Sequence, residues 1–229
     1  MDQSFSKRRP SEATVEGMGN HALLSELGHS KAWVLTPTQH VEGETGYDGR
    51  LGGYRKAVIQ YKRPRQDTNE DGFSVGLDED QHMNLRGKYS HEEAFYCFSD
   101  ALSYDTVSQA FQEDGTAGFL RRLVFVSVRS IPLGIKTIRF RNGGSPAERK
   151  PEDRICQYYE TGSSGDCYEP IDWMTGHCWL HAFSDGNVGR EIEIDEDRTP
   201  EGELIRSRGL PEENPNTGKE NHLYAPLSA

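Results

Sequence analysis

No stretch of this sequence approaches the roughly 20 consecutive apolar residues that cross a bilayer, and hydrophobic residues fill only 34% of its 229 positions. A membrane partner is therefore not expected, and a core must be drawn from a few strongly apolar segments joined by polar connections. The opening MDQSFSKRRPSEATVEG lacks the apolar stretch of a secretory leader, so a cytoplasmic setting is expected. Cysteine is scarce. Cys97, Cys156, Cys167 and Cys178 fall at irregular intervals with no Cys-x2-Cys pair, which argues against a disulfide framework. A Walker-type phosphate loop, a G-x-G-x-x-G after a strand and a G-x-S-x-G elbow are also missing. Nucleoside-triphosphatase, dinucleotide-dependent and elbow-type hydrolase functions thus lack their local signatures.

Positive charge is in the minority, with 26 Lys and Arg against 37 Asp and Glu for a net charge of -11. The chain as a whole repels nucleic acid, but the charge is segregated. Between Arg50 and Arg65 stand Arg50, Arg55, Lys56, Lys62, Arg63 and Arg65 without an acid, and residues 121–154 are again predominantly basic. Acids gather in 67–80, around 92–114 and from Glu191 onward. A polyanion can therefore meet a locally positive face on a negative protein. The alternative is that these arginines offset neighbouring acids on a solvated surface.

Apolar spacing in NHALLSELG (20–28) predicts a short helix ended by Gly28. KAWVLTPT (31–38) and YRKAVIQYK (54–62) read as strands, the second stopped by Pro64. The segment 63–80 reads as a long charged loop, 78–90 as a short helix, EAFYCFSDAL (93–102) as a strand and DTVSQAFQEDG (105–115) as a helix. FLRRLVFVSVRSI (119–131) contains a further buried strand, and CWLHAF (178–183) reads as one more. Strands alternating with helices after an initial hairpin predict an α/β core. The expected organisation is a mobile segment over 1–18, a core over 19–141, a candidate C-terminal subdomain over 142–190 and an acidic, partly disordered tail over 191–229.

Chemistry concentrates in ETGYDGRLGGYRKAVIQYKRPR (44–65). Alternation along a strand puts Val58, Gln60 and Lys62 on one face and Ile59 and Tyr61 on the other. Asp48, on the other arm of the hairpin, can share the first face, although the RLGGYR connection leaves the register open. Glu42 and Glu44 precede it by a few residues. Hard oxygen ligands beside an ammonium group are what metal-assisted phosphodiester hydrolysis needs. The plainer alternative is a half-exposed hairpin with Lys62 snorkelling at the strand end.

An Asp, a hairpin turn, an apolar strand and then Gln-x-Lys resemble the PD-(D/E)XK nuclease superfamily, in a variant where glutamine replaces the second acid. The likeness runs in order through the upstream acid of EGETGYD, the VIQYKRP strand, the DQHMNL helix and the AFYCFSDAL strand, covering residues 36–130. It implies a restriction-endonuclease-like α/β fold, a mixed central sheet flanked by helices, here with a polar C-terminal extension. It further implies a magnesium or manganese ion held by Asp48, by Glu44 or Glu42 and by Gln60, with Lys62 activating water. Gln81 resembles the helical glutamine that some members direct at the site. Arg55, Lys56, Arg63, Arg65 and Gln81 are the expected contacts to nucleic acid, DNA foremost. The function implied is a nuclease, or a nuclease-derived component, of a defence or mobile-element system. A homo-oligomer or larger assembly is the expected partner state. The alternative is a non-catalytic nucleic-acid-binding or assembly subunit that keeps the fold.

Two other constellations are weaker. DTNEDG (67–72) imitates the start of a calcium loop, but Ser74 and Asp78 stand where an apolar residue and a glutamate belong. His177 and His181 are zinc-ligand types, yet a strand through CWLHAF would set them on one face at a wide separation. Neither calcium nor zinc is favoured.

Overall fold

The apolar run Ala57–Tyr61 becomes the middle of a central sheet in the computed structural model, which describes residues 9–28, 32–36, 47–52, 55–66, 72–101, 103–142, 154–159 and 168–191. In chain order the elements are α1 (Glu12–Leu27), β1 (Trp33–Leu35), β2 (Gly49–Gly52), β3 (Arg55–Tyr61), β4 (Arg65–Gln66), β5 (Gly72–Gly76) and α2 (Glu79–Lys88). There follow β6 (Ala94–Ser99), α3 (Tyr104–Arg121), β7 (Leu123–Ser127), β8 (Thr137–Asn142), β9 (Arg154–Tyr159), β10 (Tyr168–Pro170), β11 (Met174–Thr175), α4 (Gly176–Ser184) and β12 (Arg190–Glu191). The central sheet runs β1-β2-β3-β6-β7-β11, with β12 paired to the start of β3. Its β3–β6 pair is parallel and its other pairs antiparallel, so the sheet is mixed and the fold is α/β. A second, antiparallel sheet runs β10-β9-β8-β5-β4.

The central strands are buried on both faces, which is why they read as nearly unbroken apolar runs. Ala57, Ile59 and Tyr61, with Phe95, Cys97, Leu123 and Phe125, pack in one core with α1, α3 and α4. Val58, Tyr96, Phe98, Val124 and Val126 pack in another with Phe73, Val75, Ile138 and Phe140 of the second sheet and Leu85 of α2. Face assignment along β3 thus follows the alternation expected from the sequence.

Several boundaries differ from expectation. Helix α1 begins at Glu12, with Ser11 accepting from the Thr14 N–H as its cap, so the segment 1–18 is not wholly mobile. Its buried residues Val15, Gly19, Ala22, Leu23 and Leu27 form one helical stripe. The charged segment 63–80 carries β4 and β5, because Phe73 and Val75 alternate toward the second core. CWLHAF is helical, not extended: Trp179, Leu180 and Phe183 are buried at helical spacing, and Thr175 caps the helix. The described strands of 142–190 join the two sheets of the core. β9 and β10 complete the second sheet, β11 extends the first, and Met1–Glu193 forms one compact unit. Apart from Glu191 the expected tail lies outside the described residues.

Two glycines of α1 allow a test of this packing. Gly17 is exposed and a Cβ there would meet nothing within 4 Å, whereas one on Gly19 would lie 2.9 Å from Tyr61 Cε1. Tyr61 cannot retreat, since it is fully buried and its hydroxyl donates to Asn20 Oδ1 at 2.7 Å. Gly17→Ala is expected to stabilise the protein by about 0.5–1 kcal/mol and Gly19→Ala to destabilise it by about 1–3 kcal/mol. Urea denaturation of both variants decides the matter; equal effects would contradict the contact.

Candidate active site at the end of strand β3

Pairing of Gly49 with Ile59 sets Asp48 beside Gln60, and the Asp48 N–H donates to the Ile59 carbonyl at 3.1 Å. Asp48 is 8% exposed and Gln60 1%. The Asp48 carboxylate accepts at Oδ2 from Gln60 Nε2 (2.5 Å) and from the Tyr61 N–H (2.8 Å). Gln60 Nε2 also donates to the Tyr61 carbonyl at 3.1 Å. The amide oxygen of Gln60 is buried without a hydrogen-bond partner among the described residues. Such an orphaned acceptor costs about 1–3 kcal/mol, so its retention calls for an explanation.

Lys62 follows as β3 ends, its N–H donating to the Cys97 carbonyl at 2.9 Å. Its Nζ donates to Gln81 Oε1 at 2.5 Å. Gln81 in turn stands in the first turn of α2, where its N–H donates to Oδ1 of the capping residue Asp78 at 2.9 Å. The cap therefore fixes the glutamine that fixes the lysine. Lys62 lines an open groove of about 680 Å³ together with Arg9, Arg63 and Arg65, against the acids Glu12 and Asp78. Asp48 and Gln60 do not line it. Four cations against two carboxylates favour an anionic occupant.

One residue after Gln81, His82 is 1% exposed. Its Nε2 lies 3.1 Å from the Ile131 carbonyl and 3.2 Å from that of Pro132, and its Nδ1 lies 3.1 Å from the Tyr96 hydroxyl. Carbonyls only accept, so Nε2 carries the proton and Nδ1 accepts from Tyr96. Burial pushes the imidazole pKa below its ordinary value, and the Arg86 cation adds to this against the raising effect of the two carbonyls. Tyr96 is also the β6 partner of Gln60 in the parallel pair. Burial raises the Tyr61 phenol and the Cys97 and Cys156 thiols well out of their usual ranges, which leaves these groups protonated.

The remaining expected site residues are dispersed. Arg55 sits at the opposite end of β3, about 23 Å from Lys62 at the usual rise per residue. Its guanidinium donates to the carbonyls of Val188 (3.1 Å) and Gly189 (2.6 Å from Nη2), so it holds a loop instead of facing the groove. Lys56 lies beside it and lines a separate pocket of about 140 Å³ with Tyr47, Arg50, Tyr89 and Glu93. The expected substrate contacts therefore divide: Arg63, Arg65 and Gln81 gather around Lys62, while Arg55 and Lys56 do not. Glu42 and Glu44 lie outside the described residues, as do Asp67, Asn69 and Asp71 of the calcium-like segment. Among the described residues no three of His, Cys, Asp and Glu cluster as metal ligands. Sequence reading passed over Arg9 and Glu12, which lie in the segment expected to be mobile. The helix start at Ser11 was the available signal.

The His82 environment has a pH consequence. With the folded pKa below the unfolded one, the unfolded chain binds more protons in that interval, and stability is lost as pH falls below about 6.5. Urea midpoints between pH 7.5 and 5.5 are expected to fall more steeply for the wild type than for His82→Gln; parallel lines would refute the assignment. Comparison with protein-family models, curated proteins and solved structures finds no match for this chain.

Proposed function

We propose that this protein is a metal-dependent phosphodiesterase acting on nucleic acid, built on a restriction-endonuclease-like core. A single observation carries the proposal: Gln60 on β3 reaches Asp48 across the hairpin, and Lys62, just past the end of the strand, reaches Gln81 on α2. The order of strand, helix and strand on which the family resemblance rests is present as β3, α2 and β6, and β3 lies parallel to β6.

The Asp48 carboxylate and the Gln60 amide oxygen are hard donors suited to magnesium or manganese, with Glu44 or Glu42 expected to join them. Gln60 turns its N–H toward Asp48 and leaves its oxygen orphaned. Exchange of the amide's two ends would set oxygen against a bare carboxylate, an arrangement that becomes favourable only with positive charge between them. The unpartnered oxygen of Gln60 fits a ligand in waiting. Held by these oxygens, a divalent ion would supply Lewis acidity and lower the pKa of bound water.

The chain's own residues would do the remainder. The Tyr61 N–H fixes the orientation of the Asp48 carboxylate. Gln81 holds the Lys62 ammonium at the groove wall, where it can orient water and stabilise charge developing on the phosphate. Arg9, Arg63 and Arg65 supply flanking phosphate contacts. A second reading, a binding-only subunit, draws support from one fact: Asp48 Oδ2 already accepts from two N–H donors of the chain itself.

One assay separates them. The protein is incubated with single- and double-stranded DNA and with RNA, in magnesium or manganese and then in chelator, beside Asp48→Asn and Lys62→Met. Asparagine keeps an acceptor for the Tyr61 N–H, so the fold is retained. Expected is metal-dependent cleavage that falls by roughly 100-fold or more in each variant. Binding without cleavage in all three proteins supports the subunit, and absence of both binding and cleavage rejects both readings.

A further inference from the structure

Helix α4 carries a second constellation, independent of the phosphodiesterase reading. Its inner face is anchored firmly: Trp179 stacks on Phe125 with ring centroids 4.5 Å apart and on Phe183 at 5.4 Å, and Phe95 meets it edge-on. Thr175 caps the first turn by accepting from the Cys178 N–H at 3.2 Å. The outer face presents His177, Cys178 and His181, all exposed. The helix places His177 and His181 four residues apart on one side, and their ring centroids are 4.6 Å apart. Neither ring has a hydrogen bond or ion pair among the described residues.

We propose that His177 and His181 form a surface site for a borderline transition-metal ion, Zn²⁺ or its neighbours Ni²⁺ and Cu²⁺. Imidazole nitrogens suit these ions and not Mg²⁺ or Ca²⁺. Two nitrogens at about 2.0–2.1 Å from a tetrahedral Zn²⁺ stand about 3.3 Å apart. Rings already held one helical turn apart reach that separation by side-chain rotation alone, with no movement of the helix. The same i, i+4 spacing on a helix is the one that zinc enzymes of the H-x-x-x-H type employ. No third His, Cys, Asp or Glu completes a group of three among the described residues. Among the described residues the site thus offers two imidazoles and leaves the other coordination positions open. Its chemistry differs from that of the oxygen donors at Asp48 and Gln60, so Mg²⁺ does not compete for it.

The test uses the full chain in buffer containing Mg²⁺. Calorimetric titration with Zn²⁺ is expected to show one ion bound per chain at this site. His177→Gln and His181→Gln should each weaken that binding by more than the roughly 10–100-fold that loss of a supporting residue costs a metal site, while Cys178→Ser leaves it unchanged. Electron paramagnetic resonance with Cu²⁺ should show two coordinated nitrogens in the wild type and one in either histidine variant. Because both rings are exposed, the metal-free variants should keep the wild-type urea midpoint. Undiminished Zn²⁺ binding in either histidine variant overturns the proposal, and so does loss of binding in Cys178→Ser, which would point to a thiolate ligand. A one-nitrogen Cu²⁺ signal in the wild type likewise rejects the paired site.

Discussion

The antiparallel register of β2 on β3 governs both cores and the candidate active site at once. With Gly49 opposite Ile59, Asp48 meets the Tyr61 N–H just where the strand pair ends. A slip of one residue would exchange the faces of the strand, sending Gln60 among the helices and Tyr61 toward the second sheet. Three contacts bind the register from different directions. The Asp48 carboxylate holds the backbone of Tyr61, Asn20 holds its hydroxyl, and Gly19 leaves room for its ring. Site geometry and core packing are thus one constraint, seen from the two faces of a single strand.

Around Lys62 the supports are polar. Helix α2 buries only His82 and Leu85, and much of its hold on the protein comes from hydrogen bonds. Arg86 donates to the Arg129 and Ile131 carbonyls, and Arg129 returns bonds to the carbonyls of Arg86 and Tyr89. His82 ties the same helix to Tyr96 and to the 131–132 backbone. This lattice of directed bonds sets the position of Gln81, and through it the ammonium of Lys62. It also reconciles a net charge of -11 with a cationic groove. Location of charge, not its sum, decides what the surface attracts.

The sequence was most legible where structure is local. Ala57–Tyr61, Ala94–Ser99 and Leu123–Ser127 announce buried strands by composition, and period-two alternation assigns the faces of β3 without knowledge of any partner. The neighbourhood of Asp48 was not legible, because register across a hairpin depends on the length and shape of its connection. Arg55 and Arg63 look equivalent as charges, but a strand of seven residues carries them to opposite ends. Helix α4 is not legible in CWLHAF, where Cys178, Trp179 and Phe183 favour a strand; its burial at Trp179, Leu180 and Phe183 emerges only from packing. The helix expected over 105–115 does stop there: Asp114 and Gly115 leave helical geometry, Gly115 at a positive φ of 57°, and a second helical stretch follows to Arg121.

The last described segment closes what the earlier ones begin. β11 pairs with β7, Trp179 fills the space beside Phe95 and Phe125, and Arg190 and Glu191 pair with the start of β3. Arg55 and Gly189, joined by this closure, are 134 residues apart in the chain. A ribosome-bound chain that ends before Gly176 has already made β3, β6 and β7, yet must leave their aromatic face without its lid. Closure of so long a loop is slow relative to local hairpins and helices, and open apolar surface of this kind attracts chaperones or other nascent chains. Burial of that aromatic face accordingly waits until α4 has been synthesised.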